Sequence, residues 1–109
     1  MEFGDYQKRS RATALYPDNG RNFVYPTLGL CGEAGEVSEK IKKVLRDRGG
    51  QIDDQIRRDI EKELGDVLWY VSQLATELGL SLDSIAEANL AKLLSRKERN
   101  MLHGSGDDR

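Results

Sequence analysis

The chain has 109 residues, 33% of them charged and 38% hydrophobic, with a formal net charge of −2. That length supports one domain with a modest core and excludes two, and the near-neutral balance gives no general attraction for nucleic acid or an anionic membrane. No apolar run approaches a membrane span, the N-terminus lacks the basic-then-apolar pattern of a signal peptide, and Cys31 alone forms no internal disulfide, so the expected setting is the cytoplasm.

Strand signals are nearly absent, and the periodicity predicts an all-α fold. Residues 1–16 are expected to hold a first helix with Asp5 as N-cap, its apolar side carried by Tyr6, Ala12, Ala14, Leu15 and Tyr16. Lys8, Arg9 and Arg11 read as a solvated face, with phosphate or partner contact as the minority reading. Pro17 to Tyr25 reads as a loop whose Asn19, Arg21 and Asn22 either line a nucleotide pocket or merely connect two helices. A second helix is expected from Pro26-Thr27 to about Arg48, with proline tolerated in the first turn. Gly29, Gly32 and Gly35 recur every three residues within it. Each costs about 1 kcal/mol against alanine, so close approach of another backbone or a ligand is expected there.

Gly49-Gly50 supplies a turn. Asp53 or Asp54 then caps a third helix running to Leu78, with a main stripe of Ile60, Leu64, Val67, Val71, Leu74 and Leu78. Trp69 lies on the opposite side, so this helix needs more than one neighbour, and a second subunit is one candidate. Ser81 caps a fourth helix reaching about Arg99. Its expected buried stripe is Leu82, Ala86, Leu90 and Leu93, flanked by Asn89, Lys92 and Arg96. Those three suit phosphate oxygens, and suit an ordinary solvated face equally well. The domain is expected to span 1–103, with a flexible polar tail over 104–109. His103 has no other histidine or cysteine to complete a zinc site.

One pattern organises these elements. Glu33-Ala34-Gly35-Glu36-Val37 is echoed by Glu63-Leu64-Gly65-Asp66-Val67, with Gly49-Gly50 midway between. Acids three apart lie about 60° apart on a helix and roughly 4.5 Å along its axis. A hairpin turning at the glycines would bring Glu36 level with Glu63 and Glu33 level with Asp66. Four carboxylates bordering an apolar stripe repel one another and resist burial. A hard divalent cation, magnesium or manganese, resolves that cost. The competing reading is a set of solvated acids paired with lysines, with Lys40 placed between Glu33 and Glu36 in helical angle.

Gly29-Leu30-Cys31-Gly32-Glu33-Ala34-Gly35-Glu36-Val37, followed by Lys62-Glu63-Leu64-Gly65-Asp66-Val67-Leu68-Trp69-Tyr70, resembles the MazG family of nucleotide pyrophosphohydrolases. Asn89-Leu90-Ala91-Lys92 and Arg96 are similar to that family's final-helix pattern. The resemblance covers roughly residues 25 to 100. It implies an all-α bundle with helices shared between subunits of a homodimer or homotetramer. It implies magnesium-dependent hydrolysis of nucleoside triphosphates to monophosphate and pyrophosphate. Glu33, Glu36, Glu63 and Asp66 would be metal ligands and catalytic groups, and Asn89, Lys92 and Arg96 phosphate contacts. A narrower expectation is a phage-type enzyme, set in the host cytoplasm, that reshapes the nucleotide pool by removing one purine nucleotide, such as dGTP. The alternatives are a superfamily relative acting on dUTP or phosphoribosyl-ATP, and a non-enzymatic oligomerisation bundle. Arg96, Lys97 and Arg99 as a nucleic-acid-binding helix is disfavoured by flanking acids.

Overall fold

The computed structural model describes residues 1–100, 104, 106 and 107. They form four helices: α1 (Phe3–Arg11), α2 (Val24–Arg48), α3 (Asp54–Glu77) and α4 (Leu82–Glu98), and no strand occurs among the described residues. His103, with the expected domain boundary that follows it, lies outside the described residues.

Local chemistry accounts for most helix ends. The Asp53 carboxylate accepts the Ile56 N–H at 2.8 Å, which makes Asp53 rather than Asp54 the cap of α3. The Ser81 hydroxyl accepts the Ser84 N–H at 3.3 Å and starts α4. Gly49 closes α2 in the left-handed conformation at φ 58°, and the Gly50 N–H returns to the Val44 carbonyl at 3.1 Å. Pro26 sits in the first turn of α2, where its missing N–H has no intrahelical partner to lose.

The first helix departs from expectation at both ends. Glu2 is its N-cap, and Asp5 sits three residues on, accepting the Glu2 N–H at 3.2 Å. The helix stops at Arg11 rather than running to residue 16. Thr13 turns back on the Ser10 carbonyl through both its N–H and its hydroxyl. The Asn19 amide then takes the Ala14 carbonyl, so these backbone groups are satisfied outside a helix.

α2 and α3 form an antiparallel hairpin about Gly49-Gly50, with Gly29 facing Tyr70 and Lys40 facing Glu63. α1 packs on α3, and α4 packs mainly on α1. The contact between α1 and α3 is polar. The Ser10 and Ser72 hydroxyls meet at 3.1 Å, and the buried Gln73 amide donates to Ser10 at 3.1 Å.

The expected apolar stripes are therefore only partly covered in the single chain: Ile60, Val67, Val71 and Leu74 are half-buried, as is Ala86. Leu64 on α3 and Leu78 just past its end stand 54% and 53% exposed, whereas Ser72, Gln73 and Ala75 are buried. On α4, Leu82 is buried but Leu90 remains 58% exposed and Leu93 lies on the surface. The reason is topological: α1 covers another face of α3, and among the described residues no helix packs along most of the α4 stripe. The surface area is 7945 Å², against about 6,100 Å² for a compact monomer of this mass. The radius of gyration is 16.8 Å, against about 13 Å for a compact domain of this length.

Candidate active site

The hairpin carries three acids to one place. One carboxylate oxygen from each of Glu33, Glu63 and Asp66 lies within 4.8 Å of the others. Glu33 comes from the middle of α2, and Glu63 and Asp66 from successive turns of α3, so the antiparallel pairing builds the cluster. Glu33 and Glu63 are half-buried, and Asp66 is exposed. Glu36 stays outside this group, exposed one turn along α2, close enough for its charge to act on Glu33.

The electrostatics are unfavourable as they stand. The Glu33 carboxyl is pushed up from its ordinary value first by burial, then by a hydrogen bond with Glu63 and the charges of Asp66, Glu63 and Glu36. A hydrogen bond between two carboxyl groups needs a proton that two carboxylates lack. Lys40 offers partial relief, with its ammonium 3.7 Å from Glu63 Oε1. Lysine pairing is thus realised across the hairpin to Glu63, rather than to Glu33 and Glu36 along α2. One ammonium does not balance the group. The donors are all hard carboxylate oxygens, with no histidine or thiolate among them, which fits magnesium or manganese.

An aromatic strip leads away from the acids. The Tyr70 ring lies over Gly29, where an added Cβ would fall 2.1 Å from it. Burial, then Tyr25, then the Glu33 charge raise the Tyr70 hydroxyl. Tyr70 and Tyr25 centroids are 6.4 Å apart, and Tyr25 stacks on Tyr16 at 4.9 Å. Close approach thus explains Gly29, but a Cβ at Gly32, Gly35 or Gly65 would meet nothing within 4 Å.

At the far end of α3 lies a carboxylate that the motif reading missed. Glu77 Oε2 accepts from Arg11 Nη2 at 2.7 Å, the Tyr16 hydroxyl at 2.6 Å and the Gly20 N–H at 2.7 Å. Its Oε1 accepts the Asn22 N–H at 2.6 Å. Burial alone would raise this carboxyl, but the hydrogen bonds outweigh it and hold the pKa at about 2. The available sequence signal was an acid in the last turn of a helix that has no basic residue there. The helix dipole disfavours that placement unless donors come from elsewhere. Glu77 thereby ties Arg11 and the 16–22 loop to α3. The Asn22 side chain in turn accepts the Tyr25 N–H at 3.0 Å at the start of α2.

The expected phosphate contacts lie on α4. Asn89 is exposed, and Lys92 and Arg96 engage Asp107. No hydrogen bond or ion pair joins these three to the acidic cluster among the described residues. The Asp107 carboxyl is lowered by Lys92 first and Arg96 next.

The chain matches the family model described as MazG nucleotide pyrophosphohydrolase domain over residues 26–101. It belongs to the MazG family. The matched span contains both Glu33/Glu36 and Glu63/Asp66, together with all of α4. The chain is also similar to the "Gene 37 protein" of Mycobacterium phage L5, 48% identical over the whole of both chains. No solved structure matches it significantly. No described helix is long and apolar enough to cross a membrane.

Proposed function

We propose that this chain is a magnesium-dependent nucleoside triphosphate pyrophosphohydrolase, converting a (d)NTP and water into a (d)NMP and pyrophosphate. The observation that carries the reading is the Glu33–Glu63–Asp66 cluster on a hairpin that matches the family. These three residues, with Glu36 beside them, would hold the magnesium. Bound there, the ion would supply positive charge against the triphosphate and would lower the pKa of a water. Glu36 is solvent-facing and has no ion pair among the described residues, so it is the proposed acceptor of the water's proton. The water oxygen bonds to the α-phosphorus as the bond to the bridging oxygen breaks, and pyrophosphate leaves. Lys92 and Arg96, with Asn89, counter the charge on the phosphates.

This assignment needs a homo-oligomer, dimer or tetramer, in which α4 of one subunit reaches the acids of another. The excess surface supports that, as do the exposed leucines of α4. So does an apolar hollow lined by Ile41, Ile52, Ile60 and Leu64 on the hairpin. Phage-type pool control, with selection of a purine such as dGTP, is the narrower form of the proposal. The Lys40–Glu63 pair favours one second reading, a non-enzymatic bundle whose acids are structural.

The test is turnover of an NTP and dNTP panel with magnesium, wild type beside Glu63→Gln, products separated by chromatography. Monophosphate and pyrophosphate from wild type alone support the proposal, and the panel ranks the bases. Diphosphate and phosphate would refute attack at the α-phosphorus. Absence of both turnover and magnesium binding would favour the structural bundle.

A further inference from the structure

Lys92 and Arg96 stand about one turn apart on the same side of α4. Both reach one carboxylate. Lys92 Nζ lies 3.1 Å from Asp107 Oδ1, and Arg96 Nη2 lies 3.5 Å from the same oxygen. Arg96 Nη2 also donates to the Asp107 backbone carbonyl. The two partners differ sharply in burial: Arg96 is 3% exposed, whereas the Asp107 side chain is 82% exposed.

The fit is incomplete. A guanidinium presents five N–H donors in a planar fork. Asp107 engages the Nη2 corner only. Arg96 Nε is buried and has no hydrogen-bond partner among the described residues. A buried donor left unpaired is destabilising, so the seat is built for more acceptor than one aspartate supplies. A phosphoryl group offers several oxygens that can meet Nε and Nη2 together while another meets Lys92.

We propose that Asp107 is a displaceable internal occupant of an anion seat made by Lys92 and Arg96, and that it competes there with a phosphoryl group. Asp107 thus acts as a latch on that seat, weakening binding of phosphate-bearing ligands until one displaces it. This rests on the reading of Lys92 and Arg96 as phosphate contacts. Because the latch residue is exposed, exchange needs no opening of the core.

The test is calorimetric titration of the full chain with inorganic pyrophosphate, without divalent metal. Wild type is compared with Asp107→Asn and with Glu98→Gln, which removes the same charge from an exposed position on α4. Thermal melts by circular dichroism confirm that the variants fold. Asp107→Asn should tighten pyrophosphate binding about threefold to fivefold, the range an exposed ion pair commands. Glu98→Gln should not, and adding Lys92→Gln to Asp107→Asn should remove most of the gain. Equal affinities for wild type and Asp107→Asn would overturn the latch, as would equal gains from Asp107→Asn and Glu98→Gln. So would absence of pyrophosphate binding by every form, even if Glu63-dependent turnover were established. A specific gain in a chain that turns over no nucleotide would uphold the latch and remove the hydrolase reading.

Discussion

α3 carries two carboxylate centres that face opposite problems. At its C-terminal end, Glu77 is buried with a full set of donors, and its pKa is held at about 2. In its middle, Glu63 and Asp66 meet Glu33, with Lys40 the one cation paired to the group among the described residues, and the Glu33 carboxyl is pushed up. The first centre is electrostatically complete and adds to folding. The second is incomplete and opposes folding until something positive arrives. A charged group that the fold leaves uncompensated at a half-buried position marks where chemistry is expected. A charged group that the fold compensates fully marks architecture.

The sharpest way to break this distinction is to remove one acid from each centre. Glu63→Gln should lower turnover by about a hundredfold or more, the scale associated with losing a charged group that acts on the transition state. Its melting temperature without metal should hold or rise, because a repulsive contact is removed. Steady-state assays and thermal melts on the same preparations check both halves. A stable variant with unchanged turnover would place the chemistry elsewhere.

Glu77→Gln should behave in reverse. Breaking a buried ion pair with Arg11 and weakening three further hydrogen bonds should cost about 2–4 kcal/mol in urea unfolding. Turnover measured well below the new melting point should fall far less than in Glu63→Gln. If Glu77→Gln kept its stability but lost activity, the architectural role would be wrong.

Metal should act on one centre only. A ligand that binds the folded state alone stabilises it by about 2.7 kcal/mol at a hundredfold excess over its dissociation constant. Magnesium should therefore raise the melting temperature of wild type and of Glu77→Gln, and leave Glu63→Gln nearly unmoved. Equal shifts in all three would put the bound ion outside the acidic cluster.

The two centres also predict opposite pH limbs in the metal-free chain. Glu77 has a folded pKa of about 2, below its ordinary 4.5. Its contribution, on the order of 3 kcal/mol, is present above about pH 4.5 and is lost as pH falls towards 2. Glu33 has a raised folded pKa. The folded state then holds its proton more tightly than the unfolded state, so stability falls as pH rises from about 4.5 through that raised value. Unfolding free energies across pH 2–8 should show an acid limb that Glu77→Gln flattens and a shallower upper limb that Glu63→Gln flattens.

How much of this was legible in the sequence depends on the range of the interaction. Asp53, Ser81 and Gly49 act within a few residues, so three helix boundaries were readable to within one or two positions. The acid echo about Gly49-Gly50 also gave the hairpin register, because an αα-hairpin with a short turn leaves little freedom. The early stop of α1 at Arg11 was not read, since it rests on Thr13 and Asn19 taking the Ser10 and Ala14 carbonyls, which helical periodicity does not register. Nor was the buried face of α3. Periodicity identifies an apolar stripe but not what covers it, and within the single chain Leu64 and Leu78 are left open while Ser72 and Gln73 are enclosed. Lys40 was assigned to its own helix because angular position along α2 says nothing about reach across to α3.

The glycines of α2 give the smallest and most discriminating contrast. All three are helical, so replacing each by alanine should gain about 1 kcal/mol from backbone propensity alone. At Gly29 the new methyl would fall on the Tyr70 ring, 2.1 Å from its nearest atom, so Gly29→Ala should destabilise by displacing that ring. The same shift should disturb the acids beside it and lower turnover modestly. At Gly32 and Gly35 the space within one chain is open, so the alanines should stabilise a monomer. If a partner subunit's helix lies against that face, the same alanines should weaken assembly instead. Sedimentation velocity of Gly35→Ala beside its urea unfolding curve separates the cases. A more stable chain with unchanged association means that Gly35 faces solvent in the assembly. A chain that dissociates more readily means that a second subunit covers the hairpin beside Glu33 and Glu36, where α4 of a partner would have to come to bring Lys92 and Arg96 to the acids.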